Sequence, residues 1–99
     1  IQAGTIINPD TIIGDYTFIN IGCTIGHDCK IQNYVTIAPG VHINGNNVIG
    51  ENCEIGSGCI TIQNITIEKN CMVGAGTVLI KNIPEKSTVV GNPGNIIKK

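Results

Sequence analysis

Ninety-nine residues with a net charge of -1 make one domain, with no broad basic footprint for nucleic acid and no apolar run long enough for a membrane span. Aromatics are 3%, Trp is absent and 13 residues are Gly, which excludes a core built on bulky mixed side chains and leaves isoleucine to supply the volume. The chain opens at Ile1 with no signal-peptide pattern, so the reading expects a fragment or processed chain with a segment missing upstream.

From Ile1 onward every sixth residue repeats one character: Ile1, Ile7, Ile13, Ile19, Ile25, Ile31, Ile37, Ile43, Ile49, Ile55, Thr61, Ile67, Val73 and Leu79. All but Thr61 are large aliphatics. A period of six is not helical, but it is a multiple of the strand period of two. Four residues after each anchor stand Thr5, Thr11, Thr17, Cys23, Cys29, Val35, Val41, Asn47, Cys53, Cys59, Ile65, Cys71, Thr77 and Ile83, small or β-branched apart from Asn47. They share the anchors' parity and so face the same interior. Three residues after each anchor, twelve of fourteen positions are Gly, Asn or Asp, from Gly4 to Asn82, the types that tolerate φ > 0. Each hexapeptide therefore predicts a short strand and a corner. Three such sides close a coil of eighteen residues, and coils stack in parallel about 4.8 Å apart, each touching only its neighbours. Fourteen hexapeptides make about 4–5 coils over residues 1–84. Pro84 reads as the end of the repeat, and residues 85–99 as a short C-terminal cap or tail over the open edge.

Cys23, Cys29, Cys53, Cys59 and Cys71 all fall in the small inward phase, where cysteine behaves as a small hydrophobe. No CxxC pair exists, so zinc is disfavoured. Cys53 and Cys71 should stack on adjacent coils, within disulfide reach, yet an odd number of interior thiols points to a reducing compartment and a cytoplasmic protein.

His27 stands at a corner and points outward, with Asp28 beside it and Gly45 eighteen residues on, which leaves open space above the ring. The repeat asks for nothing at that position. An exposed imidazole beside a carboxylate suits a general base; it also fits an ordinary surface histidine, and both readings stand on position alone. His42 points outward but lies half a side away, so the two histidines share no ligand within one chain, and no metal is expected.

The hexapeptides IGDYTF, IGHDCK, IGENCE, IGSGCI and VGAGTV resemble the hexapeptide-repeat, left-handed parallel β-helix family, and the left hand is implied by that resemblance. The stretch INIGCTIGHDCKIQNYVTIAPGVHINGN, residues 19–46, and the tail VGAGTVLIKNIPEKSTVVGNPGNII, residues 73–97, resemble more narrowly the sialic-acid O-acetyltransferase and bacillosamine-pathway sugar N-acetyltransferases. That resemblance implies acetyl transfer from acetyl-CoA to a hydroxyl or amine of a sugar or nucleotide-sugar. It implies His27 as general base assisted by Asp28, a homotrimer with acetyl-CoA between subunits, and Asn20 near the acceptor. The acetyl-CoA groove would be lined by Thr36, Gly45, Ser57, Ala75 and the Gly91-Asn92-Pro93 turn.

The chain departs from the family in four ways. Thr36 stands where many members carry a second histidine, Gln63-Asn64 replaces a Pro-Gly corner, Pro93-Gly94 replaces Pro-Ala, and the family's N-terminal nucleotide-sugar-binding domain is expected to be missing, either cut away or never present. Lys81, Lys86, Lys98 and Lys99 crowd the last nineteen residues; they suit either CoA phosphates or a solvated tail. The competing reading is a non-catalytic β-helix scaffold, a trimerisation module or an inactive acetyltransferase fragment; a metal-dependent hydratase is a second rival.

Overall fold

A computed structural model describes residues 3–98, so the first anchor Ile1 and the tail charge Lys99 lie outside the described residues. Two-residue strands recur at six-residue steps from β1 (Ile6–Ile7) to β13 (Val78–Leu79), followed by β14 (Thr88–Val90) and β15 (Asn95–Lys98). The architecture is an all-β parallel solenoid of about five turns, 31 × 21 × 21 Å, and it agrees with a left-handed β-helix.

The strands form three faces. One holds β1, β4 (Thr24–Ile25), β7 (His42–Ile43), β10 (Ile60–Thr61) and β13. The second holds β2 (Ile12–Ile13), β5 (Lys30–Ile31), β8 (Val48–Ile49) and β11 (Thr66–Ile67). The third runs β3 (Phe18–Ile19), β6 (Thr36–Ile37), β9 (Glu54–Ile55), β12 (Met72–Val73), β14 and β15. Partners lie eighteen residues apart, as in Ile7↔Ile25, Ile13↔Ile31 and Ile19↔Ile37, so each anchor stacks on the anchor below. From Ile19 to Leu79 every anchor is buried, Thr61 included. Ile7 and Ile13, on the first coil, are half-buried.

Corners follow from local chemistry. Positive φ occurs at thirteen of the fourteen predicted positions, from Gly4 to Gly76. Two of these are tyrosines, Tyr16 (φ 56°) and Tyr34 (φ 59°), where a side chain costs about 1–2 kcal/mol. Their rings stack across coils with centroids 5.3 Å apart, and such a pair returns about 0.5–1.5 kcal/mol. The glycine after many anchors has a different cause. A Cβ on Gly26, Gly50 or Gly56 would sit 2.7, 2.5 or 2.6 Å from the backbone nitrogen of Gly45, Lys69 or Ala75 on the next coil.

The inward small residues also hold the coils together. Thr5, Thr11 and Thr17 each donate a 2.6 Å hydrogen bond to the carbonyl fifteen residues ahead. Cys23, Cys29, Cys53 and Cys59 donate their thiol protons to the equivalent carbonyls at 3.0–3.2 Å. All five cysteines are buried and free.

The upper end departs from the sequence spacing. Ile83 reads as an inward small-phase residue, yet it bridges Ile67 on the anchor row. Likewise Val89 pairs with Val73 and Lys86, not Asn82, takes the positive φ. The last coil is therefore sixteen residues long, and coiling continues past Pro84 to Val89. The residues dropped lie between Leu79 and Ile83, where a shorter connection still lets both anchors find their rows. β15 then turns back antiparallel on β14.

Burial pushes the Cys53 thiol from 9.0 up to about 11 and raises Cys59 as well. The unfolded chain releases these protons first, so stability present at neutral pH is lost as pH rises from the ordinary thiol value through about 11. The urea midpoint should fall over that window, and Cys53→Val, which uses the side chain found at Val35 and Val41, should flatten the fall.

Candidate active site

Each corner is a column of turns joined by one vertical hydrogen bond per coil. On the column that carries His27, Asp28 N donates to Pro9 O (3.2 Å), Asn46 N to His27 O (2.9 Å) and Asn64 N to Gly45 O (3.1 Å). His27 and Asp28 are the two residues of the turn between β4 and β5, and both project outward, 55% and 53% exposed. That exposure leaves the imidazole open to a substrate.

His27 Nδ1 and Asp28 Oδ2 are 3.0 Å apart. A carboxylate only accepts, so Nδ1–H is the donor, and the neutral ring keeps its lone pair on Nε2. Gly45 fixes where that nitrogen sits. A Cβ at Gly45 would lie 2.8 Å from Nε2 and 2.9 Å from Cε1, so the ring occupies the space that the missing side chain leaves. Sequence spacing foresaw the gap; the structure shows the imidazole filling it.

A second feature lies on the third face. An open groove of about 330 Å³ runs along Thr36, Ala38, Glu54, Ile55, Gly56, Met72, Val73, Gly74 and Ala75. Of the residues expected to hold acetyl-CoA, it contains Thr36 and Ala75. Ser57 lies one coil below Ala75 on the adjoining corner, where Gly76 N donates to Ser57 O (2.8 Å). The Gly91-Asn92-Pro93 turn tops the same region, since Val78 N donates to Gly91 O (3.0 Å). Ala38, Gly56, Met72 and Gly74 were missed from sequence, although the eighteen-residue columns 36–54–72 and 38–56–74 predict them as neighbours.

Within one chain, then, the expected residues fall into two groups. His27, Asp28 and Gly45 share one corner; Thr36, Ser57, Ala75 and the 91–93 turn share another corner and its face, with the β1–β13 face between them. Asn20 belongs to the second group. Its side chain is folded back, with Oδ1 accepting from Ile21 N at 2.8 Å.

His42 stands on β7, hydrogen-bonded through Nδ1 to Thr24 Oγ1 at 2.6 Å and away from His27. Among the described residues, no three His, Cys, Asp or Glu side chains gather as a metal-ion cluster, and no helix is long and apolar enough to cross a membrane. Lys81 follows β13, whereas Lys86 sits at the corner of Lys69, to whose carbonyl it donates; they do not converge.

The model of the bacterial transferase hexapeptide (six repeats) matches residues 10–45 and 48–81. The chain belongs to this family. Among curated relatives it resembles GDP-perosamine N-acetyltransferase of Escherichia coli O157:H7, 44% identical over 55 residues, which is 50% of this chain and 25% of that protein. Among solved structures it superimposes, with a TM-score of 0.98 and 31% identity, on a mutant of perosamine N-acetyltransferase from Caulobacter crescentus in complex with CoA and GDP-perosamine, over 100% of this chain and 47% of that one. The acetyltransferase domain of PglB from Neisseria gonorrhoeae FA1090, in complex with acetyl coenzyme A, matches with a TM-score of 0.75 and 31% identity over 95% of this chain and 52% of that one. The chain spans about a quarter of the first of these relatives and about half of the other two.

Gly45→Ala should push the imidazole off its seat. The His27 Cε1 proton resonance should move, while the unfolding midpoint changes little, because this corner faces solvent.

Proposed function

We propose that this chain is the β-helix of an acetyl-CoA-dependent acetyltransferase that acylates an amine or hydroxyl of a sugar or nucleotide-sugar. The observation that carries the reading is the exposed His27, oriented by Asp28 with its Nε2 seated over Gly45. Support comes from the relatives, whose names describe N-acetyl transfer to perosamine and complexes with CoA; these favour an amine over a hydroxyl.

Neutral His27 takes a proton from the acceptor nitrogen or oxygen as its lone pair attacks the thioester carbonyl carbon. The C–S bond then breaks, and the imidazolium returns the proton to the departing thiolate. A positioned base is worth about 10²–10⁴ in rate. The Gly45 N–H is the candidate donor to the oxyanion, and such a donor is worth about 10²–10³. The groove from Thr36 to Ala75, with Ala38, Ile55, Met72 and Val73 in its lining, suits an extended pantetheine arm, and its glycines leave room for the arm to lie close to the backbone. Thr36 offers a hydroxyl there and cannot titrate.

The base and the groove sit on different corners of one prism, so a complete site needs the base of one subunit beside the groove of the next. A homotrimer provides this three times over. On this reading Asn20 of the groove side faces the acceptor, the residues after Val89 cap the upper end, and the free thiols suit the cytoplasm. Thr36 is the feature that favours the rival reading, a non-catalytic trimerisation scaffold.

His27→Ala should lower the rate of CoA release, with acetyl-CoA and GDP-perosamine, by about 10²–10⁴ while leaving the subunit mass in solution unchanged. Equal rates in wild type and variant would leave the scaffold reading in possession.

A further inference from the structure

The inward phase of the repeat contains one residue of the wrong character, Asn47, and it lies two residues past Gly45. From Thr5 to Cys59, threonine or cysteine in this phase donates to the carbonyl fifteen residues ahead. Asn47 does so too, with Nδ2 2.9 Å from Ile62 O. Its amide also reaches two carbonyls of its own corner, Asn44 O at 2.9 Å and Gly45 O at 3.0 Å. The remaining atom, Oδ1, is buried with no partner. An aliphatic side chain would avoid that unpaired acceptor, so the repeat alone does not account for asparagine here.

The other exception in the interior serves the same segment. Thr61, the one anchor that is not aliphatic, accepts from Asn44 N at 3.1 Å through its hydroxyl, and its carbonyl accepts from the Asn44 side chain. Cys29 adds a thiol bond to Asn44 O at 3.2 Å. Two buried side chains, Asn47 and Cys29, thus converge on the carbonyl of the peptide that precedes Gly45, while Thr61 holds the N–H and side chain of Asn44 on its other side.

That peptide is trans, the Asn92–Pro93 bond being the cis one among the described residues. In a trans peptide N–H and C=O point in opposite directions. With Asn44 O drawn inward by Asn47 and Cys29, the Gly45 N–H is turned outward, to the side where the His27 ring lies. Gly26 keeps the approach clear, because a Cβ there would stand 2.7 Å from Gly45 N.

We infer that Asn47, backed by Thr61, is a positioning residue: it holds the 44–45 peptide so that the Gly45 N–H faces the carbonyl oxygen on which negative charge develops. The inference rests on the acetyltransferase reading above and adds the interior residues that aim its oxyanion donor.

The test compares Asn47→Val and Asn47→Thr with wild type. Valine matches the repeat and removes all three bonds; threonine, with one hydroxyl proton, keeps at most one of them, either to Ile62 O as Thr17 bonds Gln32 O or to Asn44 O as Thr77 bonds Gly74 O. Both should fold with an unfolding midpoint at or above the wild-type value. The Gly45 amide resonance should shift and its order parameter fall. With acetyl-CoA and GDP-perosamine, kcat should drop about tenfold or more, short of the ~10²–10³ for losing a whole donor. KM for acetyl-CoA and the midpoint of the pH profile should hold, since groove and base are untouched. A folded variant with wild-type kcat, or an unchanged Gly45 amide, overturns the inference. If His27→Ala keeps the wild-type rate, or the wild-type chain transfers nothing, the acetyltransferase reading fails instead, and the amide measurement alone decides the role of Asn47.

Discussion

The constraint that governs this molecule is registry between coils. A side chain packs inward only if the residue eighteen positions on is one it can stack against, and the isoleucine column from Ile19 through Ile37 to Ile55 meets that condition. Each buried isoleucine contributes about 1.5–3 kcal/mol, and no single one dominates. The narrow interior takes aliphatic anchors and mostly small second residues, with Thr61 and Asn47 as the polar exceptions. Reactive groups are thereby sorted by phase: five thiols go inside, where they act as coil-to-coil hydrogen-bond donors, and His27 and Asp28 go outside on a turn.

The same registry explains how a site arises on so regular a scaffold. A corner residue is fixed by the vertical bonds of its column, so the imidazole has little backbone freedom. Its remaining freedom is taken by Asp28 on one ring nitrogen and by the vacancy over Gly45 on the other side. The groove on the third face has an equally simple origin, because Gly56 and Gly74 are obliged to lack side chains where the next coil passes close. Glycines imposed by packing thus leave exposed backbone where a ligand can lie.

Much of this was legible in the sequence because phase maps directly onto direction. The period, the inward cysteines, the outward His27 and the corner positions all follow from counting. The shortened last coil was not legible: Ile83 looks the same in either phase, and only pairing with Ile67 shows that the spacing has changed from eighteen to sixteen. Tyr16 and Tyr34 were hidden as left-handed corners because their stabilising contact is with each other, across coils. The grouping of Asn20 with the groove rather than with His27 required three-dimensional columns, since the two residues are only seven apart in the chain. Asn47 was visible as an exception, but its three acceptors were not.

The central claim is that base and groove, separated on one prism, meet between subunits. The direct measurement is an experimental structure of the chain with acetyl-CoA bound. The account predicts a trimer in which the pantetheine arm follows Thr36 to Ala75 of one subunit and the thioester carbonyl carbon lies within about 4 Å of where an acceptor held by the partner subunit's imidazole would attack. Acetyl-CoA seated away from every His27, or bound to a monomer, would contradict it.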